Sequence, residues 1–143
     1  MTIAAILKHK GYAVIAVDPT ADIPKVAAVL SEKRIGAVLV LDTAGQMLGI
    51  VSERDIVCSL AANGARTLEM TAGQLMTRVR HTVTPRTTVA EAMTMMTASR
   101  VRHLPVLEHD TLIGLISIGD VVKARIMQTE HEVNSLKAYV AGA

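Results

Sequence analysis

The chain has 143 residues, half of them apolar, and its 15 lysines and arginines against 13 acidic residues leave a net charge of +2. That is enough apolar sequence for a buried core, but the charge is too small and dispersed for a nucleic-acid-binding protein, and the lack of Phe and Trp removes the usual stacking surfaces for single strands. No apolar run approaches the roughly 20 residues of a membrane helix or forms a signal peptide, so we expect a cytoplasmic protein without nucleic-acid or membrane partners.

The first set of predicted elements begins at residue 14. Residues 14–17 are predicted as a strand, followed by a helix of about three turns with Asp22 and Pro24 at its start. The run AVLVLDTAGQMLGIV, residues 37–51, predicts two strands joined by a turn, and Ser52 begins a second helix. On that helix Cys58 is predicted to face inward as a buried, inert thiol with no redox role. The first helix has apolar residues at i, i+3, i+4 and i+7: Ile23, Val26, Ala27 and Leu30.

The same order of elements returns after a connection at residues 63–75. Residues 81–84 are predicted as a strand, and Thr88 with Glu91 forms a capping box at the start of the next helix. The run HLPVLEHDTLIGLI, residues 103–116, predicts another pair of strands, after which Ser117 begins a helix. The helix that follows Thr88 repeats the amphipathic spacing: Val89, Ala92, Met93 and Met96.

The two halves align as an internal repeat. Pro19 falls on Pro85, 66 residues later, and the offset becomes 65 after Asp42 because the second turn is one residue shorter. GIVSERDIV at 49–57 then matches GLISIGDVV at 114–122. The predicted fold class is α/β (α+β), with two pseudo-symmetric β-α-β-β-α repeats and a C-terminal helical extension. The expected parts are an N-terminal segment with the first repeat at 1–65, the second repeat at 66–126 and a helical tail at 127–143.

Over residues 12–125 the chain resembles a tandem pair of CBS domains, the cystathionine β-synthase type. The resemblance rests on two copies of Gly-h-h-[ST]-x-x-Asp, on DPTADI and TPRTTV at the starts of the repeats, and on RHLPVLE within the second. It implies a regulatory module that senses an adenosyl ligand in clefts between the two copies: AMP foremost, or ADP, ATP, NAD or S-adenosylmethionine. Because the sequence shows no effector domain, we expect the module to act on a separately encoded effector protein.

The Ser-x-x-Asp quartet at each strand-to-helix junction is the candidate ligand site. At Ser52 and Ser117, free amides and the positive end of a helix dipole favour an anion. Asp55 and Asp120 can accept hydrogen bonds from a vicinal diol such as a ribose. The alternative, and the commoner role of such a quartet, is a capping box in which the carboxylate turns back to the N-cap amide.

Three cationic or titratable side chains favour a phosphate near these junctions. Arg54 opposes the dipole of its helix, at a cost of up to ~1 kcal/mol that a phosphate or a neighbouring acidic side chain would offset. In the family, positions matching Arg102 and His103 often face phosphates, whereas the first copy has Gly-Ala there, so we expect two chemically different clefts. Because the chain has no Phe or Trp, an adenine is expected between residues of the opening strands: Val17, Thr82 and Val83.

Enzymatic and metal-binding functions find little support in the sequence. The G-x-S-x-G, H-E-x-x-H and P-loop motifs are absent, and two repeat-equivalent aspartates belong on opposite sides of a pseudo-twofold axis rather than in an acid/base pair. Four of the histidines lack the spacing of a helical metal site: His81, His103, His109 and His131. We therefore expect no catalysis and no metal. An interaction module with degenerate clefts that bind no nucleotide remains the alternative function.

The C-terminal tail predicts a long helix and a homodimer. The N-terminal residues Ile3, Ile6 and Leu7 can cover part of its apolar stripe, but the stripe is longer than that segment, so we expect a second copy of the chain to cover the rest. The alternative is a tail that folds back on its own core. The stripe steps 4, 3, 4, 3, 4 along the helix: Val122, Ile126, Thr129, Val133, Leu136 and Val140.

Overall fold

The computed structural model describes residues 1–142, which form two compact units. Residues 14–80 make the repeat-1 unit, and residues 1–13 together with those from His81 onward make the repeat-2 unit. A short 3-10 helix covers Gly64–Glu69. The other elements, in chain order, are α1 (Ile3–Lys10), β1 (Ala16–Val17), α2 (Ile23–Lys33), β2 (Ala37–Leu41), β3 (Met47–Ser52), α3 (Glu53–Asn63), α4 (Ala72–Leu75), α5 (Val89–Ser99), β4 (His103–Glu108), β5 (Thr111–Ser117) and α6 (Ile118–Gly142).

The repeat-1 unit is a three-stranded sheet that buries one face of α2. β1 runs parallel to β2, and β2 is antiparallel to β3. α2 begins where the sequence predicts, because the Asp22 side chain accepts a hydrogen bond from the Lys25 amide at 2.9 Å and Pro24 suits the first turn. The core of this unit consists of Ala21, Ile23, Val26, Leu30, Val38, Val40, Val51 and Ala72.

The repeat-2 unit pairs β4 with β5 in antiparallel fashion and packs α1, α5 and α6 with them. α5 also begins as predicted, because the Thr88 hydroxyl accepts a hydrogen bond from the Glu91 amide at 3.0 Å. The predicted face of α5 is confirmed, with Met93 half-buried. The predicted face of α2 is confirmed at Ile23, Val26 and Leu30 but wrong at Ala27, which is exposed. The core of this unit consists of Ile3, Ile6, Leu7, Val83, Val89, Ala92, Met96, Leu104, Val106, Ile116, Val121 and Ala124.

The opening strand of the second repeat is shorter than its counterpart. In the repeat-1 unit the Leu39 amide donates to the Ile15 carbonyl at 3.2 Å, beside the strand pairing of β1 and β2. The residue equivalent to Leu39 is Pro105, which has no amide hydrogen and cannot donate to residue 81. The predicted strand at 81–84 is therefore reduced to one parallel bridge between Val83 and Val106.

Residues 1–13 pack with the second repeat, which differs from the division expected from the sequence. Ile3 donates its amide to the Thr87 carbonyl at 2.8 Å, and in the repeat-1 unit Ala72 donates to Ala21 at the same distance. The segment at 71–77 therefore has the role in one unit that residues 2–10 have in the other. For the same reason residues 66–80 stay with the first repeat rather than beginning the second.

This arrangement explains why glycine begins both copies of the repeated motif. Gly49 and Gly114 are buried, and each lies directly beneath a side chain of the segment that packs across its unit, 71–77 for Gly49 and 2–10 for Gly114. A Cβ atom at Gly49 would lie 2.7 Å from Met76 Sδ, and one at Gly114 would lie 2.7 Å from Leu7 Cδ2. Only glycine allows so close an approach.

The exposure of Cys58 corrects the prediction of a buried thiol, which was wrong. The inward position of α3 is held instead by Ser59, whose side chain is 6 % exposed. Its Oγ lies 2.8 Å from Thr67 Oγ1 of the 3-10 helix. The inward face of α3 thus carries a buried polar contact beside Ile56, which packs against the repeat-1 core, and the spacing of apolar residues alone does not reveal that contact.

The predicted helical tail is confirmed as α6, which continues to Gly142. Its buried residues are Val121 and Ala124, close to its start, and they share the core with the apolar residues of α1. The N-terminal segment therefore packs against a different face from the predicted stripe and does not cover it. None of the helices within residues 1–142 is both long and apolar enough to cross a membrane.

Candidate functional site

The two Ser-x-x-Asp quartets form capping boxes of the same geometry. In α3, the Ser52 amide donates to Asp55 Oδ2 at 2.8 Å and the Asp55 amide donates to Ser52 Oγ at 3.2 Å. At the start of α6, the Ser117 amide donates to Asp120 Oδ2 at 2.8 Å and the Asp120 amide donates to Ser117 Oγ at 3.2 Å. The capping role that the sequence left open is therefore present in both repeats.

The capping boxes leave little of each helix start for a ligand anion. The amide of the first residue of α3 donates to the Gly36 carbonyl at 2.9 Å, and that of α6 donates to the Arg102 carbonyl at 2.8 Å. The third amide of each helix is bonded to the capping serine. The caps do not use the second amide, at Arg54 and Gly119. Each turn thus offers an anion one backbone donor together with the helix dipole.

The two carboxylates differ in the donor that reaches them from outside the Ser-x-x-Asp quartet. Thr77 Oγ1 donates to Asp55 Oδ1 at 3.3 Å, whereas Lys10 Nζ donates to Asp120 Oδ2 at 2.7 Å. Partial burial alone would raise the pKa of Asp120, but the hydrogen bond from Lys10, aided by the Ser117 amide and the charge of Lys10, lowers that pKa below its ordinary value. Asp120 is therefore an ionised acceptor at neutral pH.

The remaining predicted ligand residues lie at different depths. Arg54 and Arg102 are exposed, while His103 is half-buried at the start of β4 and pairs across the strands with Ser117. In the opening segments Val17 is half-buried and Thr82 is exposed. Val83 differs from its predicted role, because its side chain is 2 % exposed and packs in the repeat-2 core.

Lys10 and Thr77 are the two site residues that sequence reasoning missed. Lys10 belongs to the segment at 2–10 and Thr77 to the segment at 71–77, and folding alone brings them to the motif aspartates. Lys10 is 110 residues from Asp120, and Thr77 is 22 residues from Asp55. No local spacing identifies such a donor. Within residues 1–142, His, Cys, Asp and Glu side chains form no cluster of three or more suited to a metal ion.

Comparison with known proteins finds one family on both halves of the chain. Residues 10–62 and 72–127 each match the family described as CBS domain. The crystal structure of a CBS-domain-containing protein from Agrobacterium tumefaciens is 41 % identical, with a TM-score of 0.85, and the match covers 87 % of this chain and 92 % of that one. The fold is thus close to that of a solved structure over nearly its whole length.

Two further matches concern more distant proteins. The mitochondrial CBS domain-containing protein CBSX3 of Arabidopsis thaliana is 36 % identical over 117 residues, which are 79 % of this chain but 57 % of that protein. This chain therefore spans less than two thirds of that relative's length. A CBS domain protein from Pyrobaculum aerophilum, solved in complex with AMP, is 24 % identical with a TM-score of 0.72, covering 84 % of this chain and 89 % of that one.

Proposed function

Because this chain belongs to the family of CBS-domain proteins, with two copies of the domain in tandem, we propose that it is a regulatory module that binds adenine nucleotides and catalyses no reaction. The observation that carries the proposal is the repeated turn itself, where a half-buried carboxylate and an unused backbone amide meet at the start of a helix. The AMP bound by the Pyrobaculum aerophilum protein supports AMP as the first ligand to test; ADP, ATP and NAD offer the same adenosine group.

The proposed roles follow from the chemistry of each side chain. Asp55 and Asp120 accept hydrogen bonds from ribose hydroxyls, because an ionised carboxylate is an acceptor with lone pairs beyond those used in the cap. The exposed arginines and the strand-end imidazole supply positive charge or donors for phosphate. The residues assigned to phosphate are Ser52, Arg54, Arg102, His103 and Ser117, and those assigned to adenine are Val17 and Thr82.

Removing a motif carboxylate tests the ribose assignment. We expect Asp120→Ala to weaken AMP binding at least tenfold in isothermal titration calorimetry, about the 1.4 kcal/mol of a charge-assisted hydrogen bond. Asp120→Asn is the companion variant, because its amide oxygen can still cap α6 while the charge is lost. Glu130→Ala is the control: it removes a negative charge from an exposed position of the tail and is expected to leave AMP affinity unchanged. Unchanged AMP affinity in both Asp55→Ala and Asp120→Ala would remove the ribose assignment.

One observation favours the alternative of an interaction module that binds no nucleotide. Both motif aspartates already accept hydrogen bonds in their caps, so each could serve structure alone. Thermal denaturation separates the two functions, since a ligand at 100 times its Kd stabilises the folded state by about 2.7 kcal/mol. Unchanged melting temperatures with millimolar AMP, ATP, NAD and S-adenosylmethionine would favour the interaction module. Mass spectrometry of small molecules released from freshly purified protein would identify a natural ligand.

The exposed face of α6 supports a homodimer. The predicted stripe has no cover from the described residues of its own chain: Val122 is 43 % exposed, Ile126 53 %, Val133 45 %, Leu136 64 % and Val140 66 %. An apolar helix face of this length gains free energy when a second copy covers it, by roughly 25 cal/mol for each Å² of apolar surface buried. A regulatory dimer would then act on a separate effector protein. The cytoplasmic location expected from the sequence stays a prediction.

Light scattering tests the dimer. We expect a mass near twice the 15.2 kDa of one chain at micromolar concentration. Val133→Asp with Leu136→Asp should shift the protein to monomer, because each change would bury an unpaired charge in the interface. Lys137→Asp introduces an acidic residue next to the stripe and should leave the dimer intact. A monomeric wild-type protein, with and without AMP, would contradict the proposal; a dimer that survives deletion of residues 128–143 would remove only the role of the tail.

A further inference from the structure

The two repeat-equivalent carboxylates carry the same cap but different neighbours. Asp55 receives a neutral hydroxyl from Thr77 at 3.3 Å, a long hydrogen bond. Asp120 receives the ammonium group of Lys10 at 2.7 Å, the distance of a charge-assisted bond. Lys10 Nζ also donates to the Leu115 carbonyl at 2.8 Å, so the ammonium is held by two acceptors of the repeat-2 unit. One of the two motif carboxylates is therefore already neutralised by the protein itself.

The Lys10–Asp120 pair lies in a groove between α1 and α6 that has room for a ligand. Its volume is about 390 Å³, within the range of roughly 300–1,000 Å³ found for small-molecule sites. The polar part of its lining includes two further residues that can be cationic, His9 and Lys123. The apolar part includes Ile6, Ala124 and Met127. An anionic ligand with an apolar body matches this lining in both charge and polarity.

Because Lys10 is paired with Asp120, a ligand that binds this groove needs an anionic group as well as a hydroxyl. Lys10 Nζ and the Ser117 amide both donate to Asp120 Oδ2. A ligand hydroxyl at either carboxylate oxygen therefore meets a charge that the ammonium group already offsets, and its hydrogen bond is weaker than one to an unpaired carboxylate. An ammonium group that leaves Asp120 keeps the Leu115 carbonyl but loses its anionic partner, which a ligand phosphate replaces and an uncharged nucleoside does not. Displacement itself is feasible, because Lys10 is 39 % exposed and ion pairs at such positions contribute about 0–1 kcal/mol.

We propose that Lys10 makes the Asp120 turn selective for phosphorylated ligands: it neutralises Asp120 in the free protein and transfers to the ligand phosphate on binding. This inference rests on the proposed nucleotide function and adds the chemistry that distinguishes the two turns. Thr77 cannot act in this way, because a neutral hydroxyl leaves the charge of Asp55 in place. The Asp55 turn is therefore the more tolerant of a ligand without phosphate.

The test compares adenosine with AMP, which differ only in the phosphate group. Titrations are carried out in an Asp55→Asn background, so that binding at the Asp120 turn is read alone. Lys10→Gln removes the charge and keeps a donor for the Leu115 carbonyl, and Lys10→Met removes both. Lys8→Gln is the matched control, because it removes a charge from an exposed position of α1 outside the groove and the ion pair.

We expect both Lys10 variants to bind adenosine about three- to fivefold more tightly than the background protein, which corresponds to at most about 1 kcal/mol. The preference for AMP over adenosine should fall by a similar factor, while Lys8→Gln should leave adenosine affinity within about twofold. Melting temperatures show whether each variant is folded. If Lys10→Met does not fold, the comparison is made with Lys10→Gln alone. Unchanged or weaker adenosine binding in the folded Lys10 variants, or an equal gain in Lys8→Gln, would overturn the selectivity proposal alone. Absence of AMP and adenosine binding in the wild type and every variant would overturn the nucleotide function as well.

Discussion

Leu7→Ala is expected to lower the free energy of unfolding by about 2–5 kcal/mol, the range for removing a buried leucine side chain. Leu7 is 1 % exposed and shares the repeat-2 core with residues more than 75 positions away, including Val83 and Ile116. The loss combines the transfer energy of the deleted atoms with the cavity they leave. Chemical denaturation followed by circular dichroism measures the change, and hydrogen exchange of β4 and β5 amides locates it.

The matched control for Leu7→Ala is Leu68→Ala, in the 3-10 helix of the other unit. Leu68 is 53 % exposed, so its truncation should change stability by less than about 0.5 kcal/mol. A Leu7→Ala protein within about 1 kcal/mol of wild type would show that residues 1–13 are not part of the repeat-2 core. That result would restore the division of the chain expected from its sequence.

The second large effect is expected at Gly49. An added Cβ would lie 2.7 Å from Met76 Sδ and 2.8 Å from the backbone oxygen of Thr77, and the backbone cannot move aside cheaply. We expect Gly49→Ala to destabilise the protein by about 3 kcal/mol, at the upper end of overpacking effects. Gly114→Ala should cost less, about 1–2 kcal/mol, because its near neighbour within 3.0 Å is the end of the Leu7 side chain.

Double variants distinguish a clash with a side chain, expected at residue 114, from a clash with the backbone, expected at residue 49. In the Leu7→Ala background the space above residue 114 is vacated, so adding Gly114→Ala should cost less than it does in the wild type. In a Met76→Ala background the Thr77 carbonyl remains, so Gly49→Ala should stay destabilising. The explanation would be contradicted if the background variants reduced the destabilisation of both glycine substitutions equally, or of neither. In that case the side-chain neighbour of Gly114 and the backbone neighbour of Gly49 would not differ in effect.

The sequence by itself determined the local elements and their repetition. Helical spacing predicted the buried faces of α2 and α5, and the capping residues Asp22 and Thr88 predicted where those helices begin. Aliphatic runs joined by a turn predicted both strand pairs, and the heptad-like stripe predicted the helical tail. These features depend on contacts between residues a few positions apart, for which side-chain periodicity and hydrogen bonding at the cap are sufficient.

Only the tertiary structure decided which distant segments meet. The apolar residues of Ile3–Lys10 indicate that one face of this helix is buried, but the same pattern results whether the helix packs on the first repeat or on the second. Packing assigns it to the second repeat, and that assignment places Lys10 against Asp120 and leaves the stripe of α6 exposed. The shortened opening strand at Val83 likewise required the register that aligns Pro105 with Leu39, since a missing amide matters only opposite a particular carbonyl.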